Sequence, residues 1–182
     1  MIRPAALVAL VLTQAAGANA QAAQASLSDI RAFLEIDDRL ATGGQITEAQ
    51  LPTLRDAGYE VVLNLATPDP ERFPMEAFSV TSLGMTYLQV PVNWGQPTER
   101  DLDQFFRLMD ANQDRKVFVH CVANYRVSAF LYLYRTVHLG EDEAAARADL
   151  AKIWDPASEP TWQAFIDQVR AEAAGTPPSA RP

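Results

Sequence analysis

The run Lys116-Val-Phe-Val-His-Cys-Val-Ala-Asn-Tyr-Arg-Val-Ser128 constrains this chain more than any other feature. Lys116 to His120 reads as a central strand. A cysteine follows at once, and Arg126 leads into the periodic apolar segment Val127–Leu139. A strand, a tight loop and a helix start make a cradle for an anion, because backbone N–H groups and the positive helix end converge on one point. Cys121, the only cysteine of the protein, stands at the mouth of that cradle. There a thiol can serve as a nucleophile, whereas a cysteine behind a Val-rich strand can also be a small buried hydrophobe. Asn124 tolerates a left-handed backbone, and Arg126 must leave the core or meet an anion.

The first twenty residues read as a secretory leader. Met1-Ile-Arg3 is a positive start, Ala5 to Ala16 is almost continuously apolar, and Ala18-Asn-Ala20 is a small-x-small cleavage site. The expected domains are therefore a leader at 1–20, one domain at 21–174 and a tail at 175–182, with the mature protein periplasmic or secreted. Cleavage after Ala20 removes one arginine and no acid, so the formal charge of −8 becomes −9. That acidity argues against nucleic acid or an anionic membrane as a partner, since no basic stripe exists to meet phosphate. It leaves a small phosphorylated substrate or a phosphoprotein open, and no membrane insertion is expected once the leader is gone. A single cysteine permits no internal disulfide and leaves a reactive thiol open to oxidation.

Along the mature chain, helical and apolar segments alternate. Ser26–Phe33 reads as a short helix, and Leu40–Gly44 as a brief strand entering a loop. Thr47-Glu-Ala-Gln50 is a capping box ahead of a helix that stops at Gly58. Tyr59–Leu65 and Thr86–Val92 read as strands, and Ala66–Pro74 and Asn93–Pro97 as loops. Met75–Leu83 reads as a helix closed by Gly84, and Thr98 caps another through Met109. Helices over Glu141–Ile153 and Pro160–Ala173 complete the chain, broken by Trp154-Asp-Pro156, with Trp162, Phe165, Ile166 and Val169 as core anchors. This alternation predicts an α/β fold with a largely parallel central sheet flanked by helices. Gly43-Gly44 signals only a tight loop, and no His, Cys and Asp residues have metal-ligand spacing, so neither metal nor cofactor is expected.

At His120-Cys-Val-Ala-Asn-Tyr-Arg126 the chain resembles the cysteine-dependent phosphatase superfamily of protein-tyrosine and dual-specificity type, closest to a bacterial phosphatase-like subgroup. Ala41-Thr-Gly-Gly-Gln45, Gly58–Leu65 and Tyr87–Val92 support the likeness in order and spacing, so it spans roughly Leu40 to Leu139. The resemblance implies that Cys121 attacks phosphorus and carries a phosphoryl group. Main-chain N–H groups of Val122, Ala123, Asn124, Tyr125 and Arg126 would hold the equatorial oxygens, and Arg126 would clamp them bidentately. His120 would orient the loop from behind. Ser128 would either donate to the thiolate or cap the helix locally.

Two departures from the family pattern matter. Four residues rather than five separate Cys121 from Arg126, and Val127 displaces the hydroxyl residue to Ser128. Rhodanese-type sulfurtransferases use a loop of this length around a persulfide, so sulfur transfer on Cys121 is the alternative; a catalytically weak phosphate-binding module is another. The second departure concerns the general acid, because the position after Val-Pro-Val92 holds Asn93, which cannot donate a proton usefully. Asp101 and Asp69 are the candidates, each also explicable as a helix-start or turn carboxylate. Trp94 and Tyr125 flank the expected cleft, and His138 sits at a helix end where the dipole favours it.

Overall fold

The computed structural model describes residues 26–175. Its centre is two four-residue strands, β3 (Val61–Asn64) and β5 (Val117–His120), whose residues are all buried. Near-continuous apolar runs of this kind form where both faces of a parallel sheet are covered. β5 lies between β2 (Leu40–Gly43) and β3, parallel to both, and β4 (Thr86–Gln89) extends the sheet beyond β3. A two-residue strand, β1 (Leu34–Glu35), closes the far edge antiparallel to β2, giving the order β1-β2-β5-β3-β4. The expected architecture, a largely parallel sheet flanked by helices, is the one observed.

Alternate strand residues serve the two faces. Ala41, Val62 and Phe118 pack with Leu51 and Leu54 of α1 (Leu51–Asp56) and Val80 of α2 (Glu76–Ser82). On the other face Val61, Leu63, Val117 and Val119 meet α3 (Glu99–Asp110), α4 (Tyr125–Leu133), α5 (Glu143–Ile153) and α6 (Pro160–Gly175). Local signals set the helix starts. Gln50 returns its side-chain oxygen to the Thr47 N–H at 3.0 Å, and Thr98 Oγ1 accepts from Asp101 N at 3.2 Å. Gly84, at φ 83°, ends the α2 segment in the left-handed conformation that glycine adopts without strain.

Several boundaries differ from the expectation. Ser26–Phe33 forms only a 3₁₀ turn at Leu27–Asp29 and then bends through Ala32, at φ 49°, to supply β1. The leader at 1–20 lies outside the described residues, as does the tail beyond Gly175, which itself ends α6. β4 stops at Gln89, although Val90 and Val92 still donate to Asn64 and Leu65 carbonyls at 2.9 and 3.2 Å. The helix expected from Val127 begins two residues earlier at Tyr125, because Asn124 makes the turn. Its last part, Tyr134–His138, widens into a π turn in which Tyr134 Oη donates to Asp110 Oδ1 and His138 Nε2 meets Asp110 Oδ2, each at 2.8 Å.

Phe118 is the pivot of the α1/α2 face. It is fully buried, with Phe33, Tyr59 and His120 rings 5.9–6.3 Å away. A methyl group on Gly43 would lie 2.7 Å from its Cζ, so the neighbouring strand leaves it no slack. Phe118→Ala is expected to lower unfolding free energy by about 3–5 kcal/mol, read from urea denaturation.

Candidate active site

The carboxyl ends of β2, β5 and β3 meet at one edge of the sheet, which is where ligands bind in open α/β folds. From His120 the chain must turn into α4 within four residues. Asn124 accomplishes this with φ 68° and ψ 0°, and its buried side-chain amide donates to Ala32 O at 2.8 Å and Thr42 Oγ1 at 2.9 Å. The loop is also pinned from the β2 side. Gln45 N donates to Val122 O at 3.1 Å, and Cys121 N donates to Gly43 O at 3.3 Å. A carbonyl turned into an anion site would repel its ligand; this one is held away by Gln45. Gly44 makes the approach possible, since a Cβ there would lie 3.0 Å from Val122 O.

Cys121 is buried at the end of β5, and Arg126 follows in the first turn of α4, 8% exposed. The Arg126 guanidinium donates through Nε to Val92 O at 3.0 Å and lies 5.4 Å from the centre of the Trp94 ring. Two side-on contacts fix its plane and leave its terminal nitrogens for a planar, two-pronged partner. The same bond ties the loop to the segment after β4, which carries Asn93 and Trp94.

An aromatic wall stands beside the arginine. Tyr125, 36% exposed, stacks on Trp154 with ring centres 4.9 Å apart and planes 11° from parallel. Trp94 lies 6.1 Å from Tyr125, 5.6 Å from Trp154 and 5.1 Å from Trp162. Trp162 Nε1 donates to Trp94 O at 2.9 Å, so this core anchor also supports the loop after β4. Ser128 directs its proton to Tyr125 O at 3.1 Å, one turn back in α4, and accepts from Trp154 Nε1 at 3.0 Å.

On the other side a cleft of about 320 Å³ opens among Gln45, Asn64, Asp69, Arg72, Glu76 and Tyr87. Cys121 does not line it; the cleft adjoins the loop through Gln45. Asp69 faces it but is held by Glu71 N at 2.9 Å and Arg72 at 2.7 Å. Asp101 lies in the first turn of α3 and is not part of its wall. Asn93 accepts from Gly95 N at 2.9 Å in a turn of its own. Burial, then the charge of Glu76, pushes the Tyr87 hydroxyl up to about 12, and it accepts from Asn64 Nδ2 at 3.1 Å.

His120 is fully buried, its Nε2 2.5 Å from Glu76 Oε1, the two atoms close but out of line for a hydrogen bond. Glu76 carries no signal in the sequence beyond its place behind Pro74 and Met75; nor do Thr42 and Trp154, which hold Asn124 and Ser128. Among the described residues no three His, Cys, Asp or Glu side chains gather as metal ligands.

The chain matches, over residues 15–164, the family described as DSP-PTPase phosphatase fused to NAD+ kinase. It is similar to a candidate phosphatase (DUF442) of Shewanella putrefaciens CN-32, with 35% identity and a TM-score of 0.71 over 80% of this chain and 95% of that one. TpbA of P. aeruginosa matches at 18% identity and a TM-score of 0.63, over 83% and 95% of the two chains. PTPMT1 matches at 20% identity and a TM-score of 0.60, over 79% and 99%. At those two lower identities the likeness speaks for the fold alone. No curated protein matches the chain.

If the left-handed turn at Asn124 shapes the loop, backbone tolerance should count beside its hydrogen bonds. Asn124→Gly loses the bonds to Ala32 and Thr42 but keeps the turn, whereas Asn124→Ala loses both. Asn124→Ala is expected to be less stable than Asn124→Gly by about 1 kcal/mol in urea unfolding; equal stabilities would place the whole effect in the side-chain bonds.

Proposed function

The chain belongs to the cysteine-dependent phosphatases of dual-specificity and tyrosine type, and from that premise we propose that it hydrolyses phosphomonoesters through a phosphoryl group carried on Cys121. The observation that carries the reading is the loop from Cys121 to Arg126 at the carboxyl end of the central strand, with the guanidinium held by Val92 O and Trp94. In the first step Sγ forms a bond to phosphorus as the ester P–O bond breaks, and the leaving oxygen departs with the bonding pair and takes its proton from solvent. In the second, water attacks phosphorus, the S–P bond breaks, and inorganic phosphate and the cysteine are released. The amides from Val122 to Arg126 and the terminal nitrogens of Arg126 would neutralise the equatorial oxygens as charge spreads over them. No feature of the fold or of the relatives favours sulfur transfer.

Substrate would be a small phosphorylated molecule or a phosphoprotein, in a periplasmic or secreted setting that the leader pattern at Met1–Ala20 supports. Tyr125 lies inside the loop and its ring is partly open, so a flat group next to the phosphate would find a stacking surface there. Proton delivery is the weak point of the site. Asn93 has no proton to give, and Asp69 is occupied by Arg72. Esters whose leaving oxygen needs no protonation are therefore the better substrates.

Hydrolysis of an aryl phosphate by the reduced protein is expected, abolished in Cys121→Ser and reduced by about 10³-fold or more in Arg126→Ala. Turnover that survives Cys121→Ser would overturn the reading. Across a series of phenols, the rate should fall steeply as the leaving group becomes more basic, because unassisted departure forfeits about 10²–10⁴-fold. A flat series that steepens in Asp69→Asn or Asp101→Asn would instead identify that aspartate as the acid.

A further inference from the structure

Glu76 is the only buried acidic side chain among the described residues, 4% exposed at the first position of α2. A carboxylate taken out of water is held only by what it touches, and two of its three contacts, Gln45 and His120, lead to the Cys121 loop. Oε2 accepts from Gln45 Nε2 at 3.0 Å, and the backbone N–H of Gln45 in turn holds Val122 O. Oε2 also accepts from Asn64 Nδ2 at 3.3 Å, while Asn64 Oδ1 accepts from Ala66 N at 2.7 Å and shapes the exit from β3. Oε1 lies against Nε2 of His120, the residue before the nucleophile. One carboxylate thus gathers the ends of β2, β3 and β5. It also lines the cleft beside the loop. Among the described residues neither ring nitrogen of His120 has a hydrogen-bond partner, and the ring packs on Phe118 at 5.9 Å and against Glu76 Oε1.

We propose that Glu76 is a positioning residue of this site, acting through Gln45 and His120 to hold the Cys121 loop in its anion-binding shape. The inference rests on the phosphatase reading for the rate effect, but the anion-binding part stands apart from it. Gln at position 76 could still accept from Gln45 and Asn64, so the shape of the hub depends on the acceptor oxygen more than on the charge. A carboxylate that served only the core would change how much protein folds and leave each folded molecule as competent as before.

The experiment compares the full chain with E76A, E76Q and Q45A, measuring aryl phosphate turnover and the calorimetric binding of inorganic phosphate, whose stoichiometry counts competent sites. E76A is expected to lose about 10²-fold in kcat per competent site and to bind phosphate more weakly. E76Q should recover most of both, and Q45A, which cuts one link, should fall between E76A and the parent. Parental kcat and phosphate affinity per site in E76A would overturn the proposal. If E76A does not fold, Q45A decides: weakened phosphate binding at an unchanged unfolding midpoint upholds it, and parental binding overturns it. A parent that binds phosphate but hydrolyses no ester sinks the phosphatase reading and leaves the binding comparison to judge Glu76. A parent that binds no phosphate overturns both.

Discussion

Between β5 and α4 the chain reverses from a fully buried strand into a helix buried from Arg126 to Leu133, with four residues to make the turn. A turn that short needs one residue in the left-handed region, and the cost of placing a side chain there is met by Asn124 through Ala32 O and Thr42 Oγ1. Much else is arranged around this turn. The bend at Ala32, the short β1 strand and the end of β2 exist in a form that presents those two acceptors. The helix that follows is buried from Arg126 to Leu133, so the loop cannot drift without moving the core.

What the sequence made legible was local. The capping box at Thr47, the Thr98 cap and the stop at Gly84 are each set by residues within a few positions of one another, whereas the turn at Asn124 was legible only as a tolerance of that residue type. The strand set and its parallel character followed from runs such as Val61–Asn64 and Val117–His120, which have no polar face to expose. β1 was not legible, because Leu34-Glu35 has no alternation and is a strand only by pairing with Thr42 and Ala41. The Glu76 hub was hidden for the same reason: its bonds join residues 12 and 31 positions away. Ser128 shows the limit from another side, since the bond it accepts comes from Trp154, 26 residues downstream.

The two flanks of the loop differ in chemistry. One is a polar floor in which amides and a buried carboxylate fix backbone; the other is an aromatic wall that fixes the arginine by its face. Arg126 sits where they meet, and its bond to Val92 O means that the segment bearing Asn93 is tied to the loop rather than free to swing. Asn93 therefore follows directly on the residue that holds Arg126, and its side chain caps a turn of its own at Gly95. The loop is thus braced on one flank by hydrogen bonds to backbone and on the other by aromatic rings.

All three tryptophans of the chain belong to that wall. Trp94 touches Trp154, Trp162 and the Arg126 guanidinium, and Trp154 is stacked on Tyr125 within the loop. Indole emission from this molecule consequently comes from one place, with a cation over one ring and the loop against another. The emission therefore reports on the surroundings of Arg126 and of the Cys121–Arg126 loop, with no label to attach and no distant tryptophan to dilute the signal.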